Sequence, residues 1–397
     1  MTRLKKLKKL FKTYSIDGYI VPKNDEFFGE YVSESKNILK FISNFTGSYG
    51  FALILNNKNY LFIDGRYTLQ AKIQSGNNFL IQTLPKELPK KILKNKNLRI
   101  GFDPKLFTKK ILNIFFSKTN CKFIPINQNL IDKIWIRKSN YKTKKFYTLP
   151  SNSVGQIYKK KINKVVSEMK KNKADFQFIT ASENSAWLLN IRGGDSQYTP
   201  IPHGYILIDK KKNINFFCDL KKISSSLKKK FNKVTFINIK STSQILSKKI
   251  GMKFIIDRNT CSLYFENIIL KNNKLLNQED PIYVLKSIKT KNEIENTKKA
   301  HIFDGSALTK YLFWLKKNYI KKKVTEISAE NKLYNFRKEN KNFKFLSFPT
   351  ISGTSSNGAI IHYKATKKSN KRLKKGDIYL VDSGGQYAFG TTDVTRT

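Results

Sequence analysis

The sequence predicts an α/β protein in which two similar α/β domains are followed by a third domain of mixed helices and strands. The chain has 397 residues, which is too many for one ordinary hydrophobic core. An internal repeat runs up to about residue 286, and the pattern changes to long helical stretches after that point. The 40% hydrophobic and 13% aromatic content is typical of a globular chain.

The repeat is visible as strands that end in aspartate at nearly constant offsets. Strand–turn–strand patterns end at Asp64 and, 155 residues later, at Asp219. Short apolar runs precede Asp103 and, 154 residues later, Asp257. An offset that stays nearly constant across two elements indicates a duplicated α/β domain.

The two copies are predicted to cover residues 1–139 and 150–286, and the third domain covers residues 287–397. Between the copies lies a polar segment that contains Pro150 and Gly155. This composition is typical of a linker.

Both copies open with a helix followed by a strand. Apolar residues at helical spacing predict an amphipathic first helix that ends near Tyr14, and a strand follows at residues 16–21. The matching strand of the second copy is predicted at residues 175–180. Helices are expected after the repeated strands, at residues 111–116 and 263–270.

The third domain begins with two predicted helices. A long helix is predicted over residues 289–317, which have apolar or small residues at helical spacing. Thr325 and Ser328 have the spacing of a helix cap, which predicts a second helix. The next segment predicts a strand, a glycine-containing loop and a strand that carries His362.

The last stretch, residues 377–397, predicts an antiparallel hairpin with two aspartates. If the turn is centred between Tyr387 and Ala388, Asp382 and Asp393 face one another. Directly opposed side chains lie roughly 4.5–5.5 Å apart at Cβ, so two carboxylates would repel unless a cation lies between them. Paired oxygen ligands favour manganese, magnesium or calcium.

A purely structural interpretation is that these aspartates cap turns. Against it, Asp393 lies between threonine-rich residues of a predicted strand, where aspartate is disfavoured.

The charge of the chain is strongly positive. The sequence has 77 Lys+Arg against 28 Asp+Glu, a formal net charge of +49. This excess is typical of a polyanion-binding surface, but it is nearly all lysine and is spread along the chain, which favours compositional drift. Both interpretations predict non-specific, salt-sensitive association with polyanions.

Other features bear on the compartment of the protein. Three scattered cysteines without CxxC spacing predict neither a disulfide framework nor a zinc site, and they fit a reducing cytoplasm. No apolar run approaches the ~18 residues of a membrane helix, so no membrane association is expected.

Several segments together resemble a known family. These are DGRY, NLIDKIWIRK, WLLNIRGGD, TEIS…LSFPTISG, NGAIIHY and VDSGGQY…GTTDVTRT, in this order along the chain. The chain resembles the pita-bread metallopeptidases, and within them the long three-domain Xaa-Pro aminopeptidase (aminopeptidase P) family. The resemblance implies two creatinase-N-like α/β domains followed by the first half of a pita-bread (α+β) metallopeptidase domain.

The resemblance also implies roles for four residues. Asp382 and Asp393 would be ligands of two Mn²⁺ ions, which can share and activate a water molecule. His362 would be a catalytic, substrate-contacting histidine near the metals. Arg66 would bind substrate, because a fixed guanidinium can hold a carbonyl or carboxylate group. The alternatives are a half-buried strand histidine at His362 and a salt bridge from Arg66 to Asp64.

The function implied by the resemblance is removal of the N-terminal residue from peptides with proline in second position. The complete protein would be a cytoplasmic homodimer. The family's further ligands, a histidine and two glutamates, do not follow Asp393 before Thr397, so we expect a C-terminally truncated and inactive polypeptide.

Two other functions stay open. One is an Xaa-Pro dipeptidase, although such relatives usually have one N-terminal domain. The other is a non-catalytic pita-bread module that binds peptides, histones or nucleic acid.

Overall fold

The structure is a computed structural model that describes residues 1–137 and 144–397. The chain divides into two compact units. The first comprises Met1–Tyr147, Lys159–Gln197 and Ile201–Leu285, and the second comprises Thr148–Tyr158, Tyr198–Pro200 and Lys286–Thr397. The predicted domain end at residue 139 lies outside the described residues. The predicted limits at residues 150 and 286 stay predictions.

The helices and strands follow in chain order. The helices are α1 Arg3–Thr13, α2 Ile38–Ser43, α3 Thr68–Ser75, α4 Pro89–Leu93, α5 Lys109–Phe116, α6 Tyr158–Lys171, α7 Ser182–Leu189, α8 Ser225–Lys229, α9 Thr242–Ser247, α10 Leu263–Leu270, α11 Ile282–Ser287, α12 Lys291–Asn318 and α13 Glu326–Lys338. The strands are β1 Gly18–Pro22, β2 Gly50–Leu55, β3 Asn59–Asp64, β4 Leu80–Leu84, β5 Arg99–Phe102, β6 Lys122–Pro125, β7 Tyr147–Thr148, β8 Phe176–Ile179, β9 Ile191–Arg192, β10 Gly204–Asp209, β11 Ile214–Cys218, β12 Val234–Asn238, β13 Lys253–Ile256, β14 Lys274–Asn277, β15 Phe343–Leu346, β16 Ile351–Thr354, β17 Tyr379–Ser383, β18 Gly385–Tyr387 and β19 Val394–Arg396.

The first unit contains two mixed sheets with the same architecture. Within the described residues their strand orders are β4–β3–β2–β1–β5–β6 and β12–β11–β10–β8–β13–β14. In each sheet the central strand, β1 or β8, pairs antiparallel with one neighbour and parallel with the other. The outer pairs also correspond: β2–β3 and β10–β11 are antiparallel, and the edge strands join in parallel. The predicted duplication of an α/β domain is confirmed.

The aspartates that mark the repeat cap the turns after their strands. In Asp64, Asp219, Asp103 and Asp257, the Oδ1 atom accepts a hydrogen bond from the backbone N–H two residues later, at 2.8–3.0 Å. An aspartate suits this position because its short side chain can accept from its own turn. The sequence signal of the repeat is therefore a repeated turn.

The sheets of the first unit are covered on both faces. Every residue of β1 and of β2 is buried, which explains why both strands are continuous apolar runs rather than alternating ones. The amphipathic helix α1 buries Leu7 and Phe11 in this core, as the sequence predicted. A second core lies around Phe178, Phe217 and Phe254.

The second unit is built on α12 and α13. Thr325 caps α13 and forms a capping box with Ser328, as predicted. The core of this unit includes Leu308, Tyr311 and Leu333. Within the described residues, its strands form the sheets β16–β17–β19 and β15–β18.

None of the helices in the described part of the chain is both long enough and apolar enough to cross a membrane. The longest, α12, has 28 residues and contains many lysines.

Candidate metal centre

Asp382 lies on the central strand of a small sheet in the second unit. β17 pairs antiparallel with β16 and with β19, so Asp382 has Ile351 on one side and Thr395 on the other. Asp393 is exposed and directly precedes β19. The hairpin expected at the C-terminal end of the sequence is present.

The register of this hairpin differs from the prediction. Asp382 pairs with Thr395, and the hydrogen bond from the N–H of Tyr387 to the oxygen of Gly390 closes the turn around Ala388 and Phe389. The direct opposition of Asp382 and Asp393 was therefore wrong, because the turn is centred one residue later than expected. This shift moves the pairing by two residues, and side chains two residues apart share a face of the sheet.

The two aspartates are therefore diagonal neighbours on one face, roughly 7–8 Å apart by the usual sheet geometry. The residue that faces Asp393 in this register is Gly384. A Cβ atom there would lie 2.0 Å from the carbonyl oxygen of Thr392 and 2.2 Å from Oγ of Ser347. Glycine is required at this position because the two strands approach too closely for a side chain.

The electrostatics of the pair are unfavourable without a cation. Partial desolvation, and then the neighbouring charge of Asp382, raise the pKa of the largely exposed Asp393. Oδ1 of Asp382 is buried and has no hydrogen-bond partner among the described residues. A buried carboxylate oxygen without a donor is costly, and a metal ion would satisfy it.

These two residues fit a divalent cation that prefers oxygen ligands. However, residues 1–137 and 144–397 contain no group of three or more His, Cys, Asp or Glu side chains able to hold a metal ion. Asp382 and Asp393 are two candidate ligands, and their role in metal binding stays a prediction.

A buried ion pair between α12 and α13 is hydrogen-bonded to the last residue of β17. Nε and Nη2 of Arg337, on α13, donate to the two carboxylate oxygens of Asp304, on α12, at 2.7 and 3.0 Å. Nη2 also donates to Oγ of Ser383, the residue after Asp382, at 3.0 Å. The hydroxyl of Tyr387 donates to Asp304 at 2.9 Å. The two helices are thereby fixed to the strands on both sides of Gly384.

His362 does not lie on a strand. The segment after β16 forms a single 3₁₀ turn, Ser355–Asn357, and then irregular turns. His362 is exposed and has a φ of 56°, which is in the left-handed region. Both the predicted strand and the alternative of a half-buried strand histidine were wrong, because the side chains of this segment hydrogen-bond to a helix terminus instead of pairing in a sheet.

Arg66 belongs to the first unit. It lies in the 3₁₀ turn Gly65–Tyr67, and its Nε donates to Oδ1 of Asp64 at 2.8 Å. This hydrogen bond raises the pKa of Arg66. The salt bridge to Asp64 that the sequence left open is present, and it keeps the guanidinium at the end of β3. A role of Arg66 in substrate binding stays a prediction.

Sequence reasoning missed the buried polar residues around the site. Arg337 and Asp304 are 0% and 2% exposed, and Glu326 is 0% exposed. The available signal was weak: Asp304 lies in a helix interior, where aspartate is unfavourable. Glu326 fits the pattern of an ordinary first-turn acid, so its burial could not be anticipated.

The chain matches three family models in succession. Two describe a creatinase/prolidase N-terminal domain and match residues 3–134 and 137–293. The third describes metallopeptidase family M24 and matches residues 295–397. The fold and these matches thus define an M24 metallopeptidase chain with two creatinase-type N-terminal domains, which confirms the predicted fold class.

Comparison with individual relatives identifies the family within this class. The probable Xaa-Pro aminopeptidase P of Laccaria bicolor is 36% identical, over 100% of this chain and 64% of its own length. Xaa-Pro aminopeptidase 1 of Dictyostelium discoideum is 34% identical, over 100% of this chain and 66% of its own length. This chain belongs to the Xaa-Pro aminopeptidase P family. It spans about two thirds of the length of the curated relatives it matches.

A solved structure agrees with this assignment. The X-prolyl aminopeptidase from Caenorhabditis elegans is 26% identical, with a TM-score of 0.92 over 100% of this chain and 69% of that chain. It is described as a cytosolic enzyme with a di-nuclear active site.

Proposed function

We propose that this chain contributes metal-binding and substrate-binding residues to an aminopeptidase that releases the N-terminal residue from peptides with proline in second position. One observation carries the proposal: Asp382, whose buried Oδ1 atom has no hydrogen-bond partner in the described part of the chain, shares a sheet face with Asp393. Membership of the Xaa-Pro aminopeptidase P family supports the substrate class.

Asp382 and Asp393 would hold two divalent cations, which we propose to be manganese. Bound cations would activate a water molecule and polarise the scissile carbonyl group. The half-buried Asp382 is held rigidly, because Ser383 beside it is hydrogen-bonded to the buried Arg337. The exposed Asp393 lies on the solvent side, where it can adjust to the ions.

His362 and Arg66 would contact the peptide. The exposed imidazole of His362 has one ring nitrogen that can donate a hydrogen bond and one that can accept, which suits a group beside the scissile bond. The guanidinium of Arg66 stays cationic and is oriented by Asp64, so it can hold a carbonyl or carboxylate group of the substrate. Selection of proline requires a site that does not need an N–H group from the second residue.

We further propose that the 397-residue polypeptide by itself binds manganese weakly and does not hydrolyse peptides. Two carboxylates form an incomplete ligand set for two cations. We also propose a cytoplasmic location, which the scattered cysteines support. The homodimer implied by the family resemblance is a further proposal.

The test is hydrolysis of an Xaa-Pro-Xaa tripeptide by the whole product of the gene. We expect cleavage that depends on manganese, is lost in EDTA and falls at least about 100-fold in Asp393→Ala. The matched control is Glu339→Ala, which removes another carboxylate of the same unit from an exposed ion pair with Lys310 and should retain activity. Full activity of Asp393→Ala would refute the proposed metal site.

The same experiment addresses the dipeptidase and binding-module alternatives. Cleavage of an Xaa-Pro dipeptide in preference to the tripeptide would favour a dipeptidase. Absence of any hydrolysis, combined with polyanion binding that persists at high salt, would favour a non-catalytic module.

A further inference from the structure

A buried carboxylate holds the segment that carries His362. Glu326 is the first residue of α13 and is 0% exposed. Its oxygens accept hydrogen bonds from the backbone N–H groups of Thr354 and Lys371, at 2.9 and 3.0 Å. They also accept from Nδ2 of Asn357 at 3.0 and 3.1 Å and from the hydroxyl of Tyr363 at 2.9 Å.

These donors come from the two ends and the middle of one segment, residues 354–371. Thr354 ends β16 and Lys371 closes the segment, where its carbonyl oxygen also accepts from the N–H of Glu326 at 3.0 Å. Tyr363 directly follows His362. A single carboxylate therefore closes the loop and fixes the residue next to His362.

Both side-chain oxygens of Glu326 must act as hydrogen-bond acceptors in these contacts. Each oxygen of Glu326 receives at least two donors, so the amide of a glutamine would turn an NH₂ group towards other donors. The position at the first turn of α13 also favours a negative charge, because the backbone N–H groups of a helix N-terminus point towards it. Burial without these partners would be costly.

The same residue is joined to the sheet of the candidate metal centre. The backbone oxygen of Glu326 accepts from Oγ of Ser352, on β16, at 2.8 Å. In the neighbouring pair of this antiparallel ladder, Ile351 lies opposite Asp382. Glu326 thus connects the strand beside Asp382 with the segment of His362.

We propose that Glu326 is a positioning residue that fixes the His362 segment relative to the strands of the metal centre. The proposal rests on the proposed function to the extent that His362 contacts the substrate. Glu326 itself is fully buried and acts through the donors of residues 354–371.

The first test is a spectroscopic comparison of wild type with Glu326→Gln in the 397-residue chain. The chain has three histidines, His203, His301 and His362, so their imidazole Cε1–H resonances can be assigned by substitution. We expect the resonance of His362 to shift or broaden, whereas His301, on α12 of the same unit, keeps its position. An unchanged His362 resonance, or equal changes at His301, would overturn the proposal.

Two further variants keep this test decisive. Tyr363→Phe removes one donor to Glu326 and keeps the ring, so a smaller change in the same direction is expected if Glu326→Gln fails to fold. Glu339→Gln is the matched control, because Glu339 lies at the other end of α13 in an exposed ion pair with Lys310. It should leave all three resonances unchanged.

The second test uses the active gene product and a double-mutant cycle. We expect Glu326→Gln to lower kcat by about 10- to 100-fold, as small misplacements of catalytic groups do. In a background of His362→Ala it should have no further effect larger than about twofold. Additive losses would overturn the positioning role. If the wild-type product cleaves no peptide, the proposed function fails, and the resonance of His362 still decides the role of Glu326.

Discussion

At the scale of single residues, the candidate site brings together two carboxylates, Asp382 and Asp393, whose charges do not stabilise the fold. Asp393 is largely exposed beside Asp382, and partial desolvation, followed by the charge of this neighbour, raises the pKa of Asp393. A pair of like charges destabilises the metal-free chain, although only modestly, because solvent screens an exposed carboxylate. Retention of such a pair is expected where binding chemistry requires it.

Substitution Asp393→Asn should therefore stabilise the metal-free chain, by less than about 1 kcal/mol at pH 7. The raised pKa means that the ionised form of Asp393 is disfavoured by folding, so the gain should shrink as the pH falls into the carboxyl range. Urea unfolding in EDTA at pH 7 and pH 4 measures both effects. A stabilising effect of equal size at both pH values would contradict the electrostatic cause.

A second residue-scale prediction concerns His203 in the first unit. Its ring stacks on that of Phe27 with a centroid distance of 4.2 Å. Burial, and then Lys36 and Lys222, lower the pKa of His203 to about 3. Because the unfolded chain has a pKa near 6.5 at this residue, stability is lost as the pH falls from about 6.5 towards 3.

The variant His203→Phe keeps the stacking and removes the titration. Between pH 7 and pH 5, wild type should lose at most about 2 kcal/mol more stability than the variant, and less where water reaches the half-buried ring. Denaturant unfolding at both pH values gives this difference, in which the contributions of other groups cancel. Equal pH dependence of the two proteins would show that His203 does not contribute.

At the scale of elements, α12 and α13 are joined by two ion pairs of opposite character. Arg337 and Asp304 form a fully buried bidentate pair. Lys310 and Glu339 form a pair whose side chains are 57% and 53% exposed. The same two helices thus allow a direct comparison of buried and solvated charges.

Asp304→Asn should destabilise the second unit by about 3–5 kcal/mol, because it leaves the charge of Arg337 buried without a counterion. Glu339→Gln should cost less than about 1 kcal/mol. Urea unfolding can be followed by the fluorescence of Trp314, on α12, in a background of Trp135→Phe and Trp187→Phe. Equal effects of the two substitutions would refute the distinction.

At the scale of the whole molecule, the formal charge of +49 sets the behaviour towards polyanions. The lysines are spread along the sequence, so the attraction does not depend on one motif. Binding of this type releases counterions and is weakened by salt.

We therefore expect the chain to bind unrelated DNA duplexes and heparin with similar affinity. Affinity should fall at least about tenfold between roughly 50 and 200 mM salt. Fluorescence anisotropy with two duplexes of unrelated sequence measures this effect. Binding that discriminates between the sequences, or that resists salt, would instead indicate a selected nucleic-acid site.

The sequence alone determined the duplicated domain and the family, and it singled out Asp382 and Asp393 as candidate metal ligands, which stays a prediction. These features depend on local signals: strands that end in a turn-capping aspartate, apolar runs, helix caps and short motifs. The capping box at Thr325 and the helices α5 and α10 were predictable for the same reason.

Only the tertiary structure decided which residues of the candidate site are neighbours. The turn at Ala388 and Phe389 places Asp393 opposite Gly384. A turn centred one residue earlier would give a different register, and the choice between the two depends on tertiary packing, which cannot be read from the local sequence. The residue with left-handed φ, His362, lies in a segment whose two ends hydrogen-bond to the buried acceptor Glu326, from 28 and 45 positions away. Such contacts leave no periodic signal, because each depends on a single polar group that the folded chain buries and satisfies.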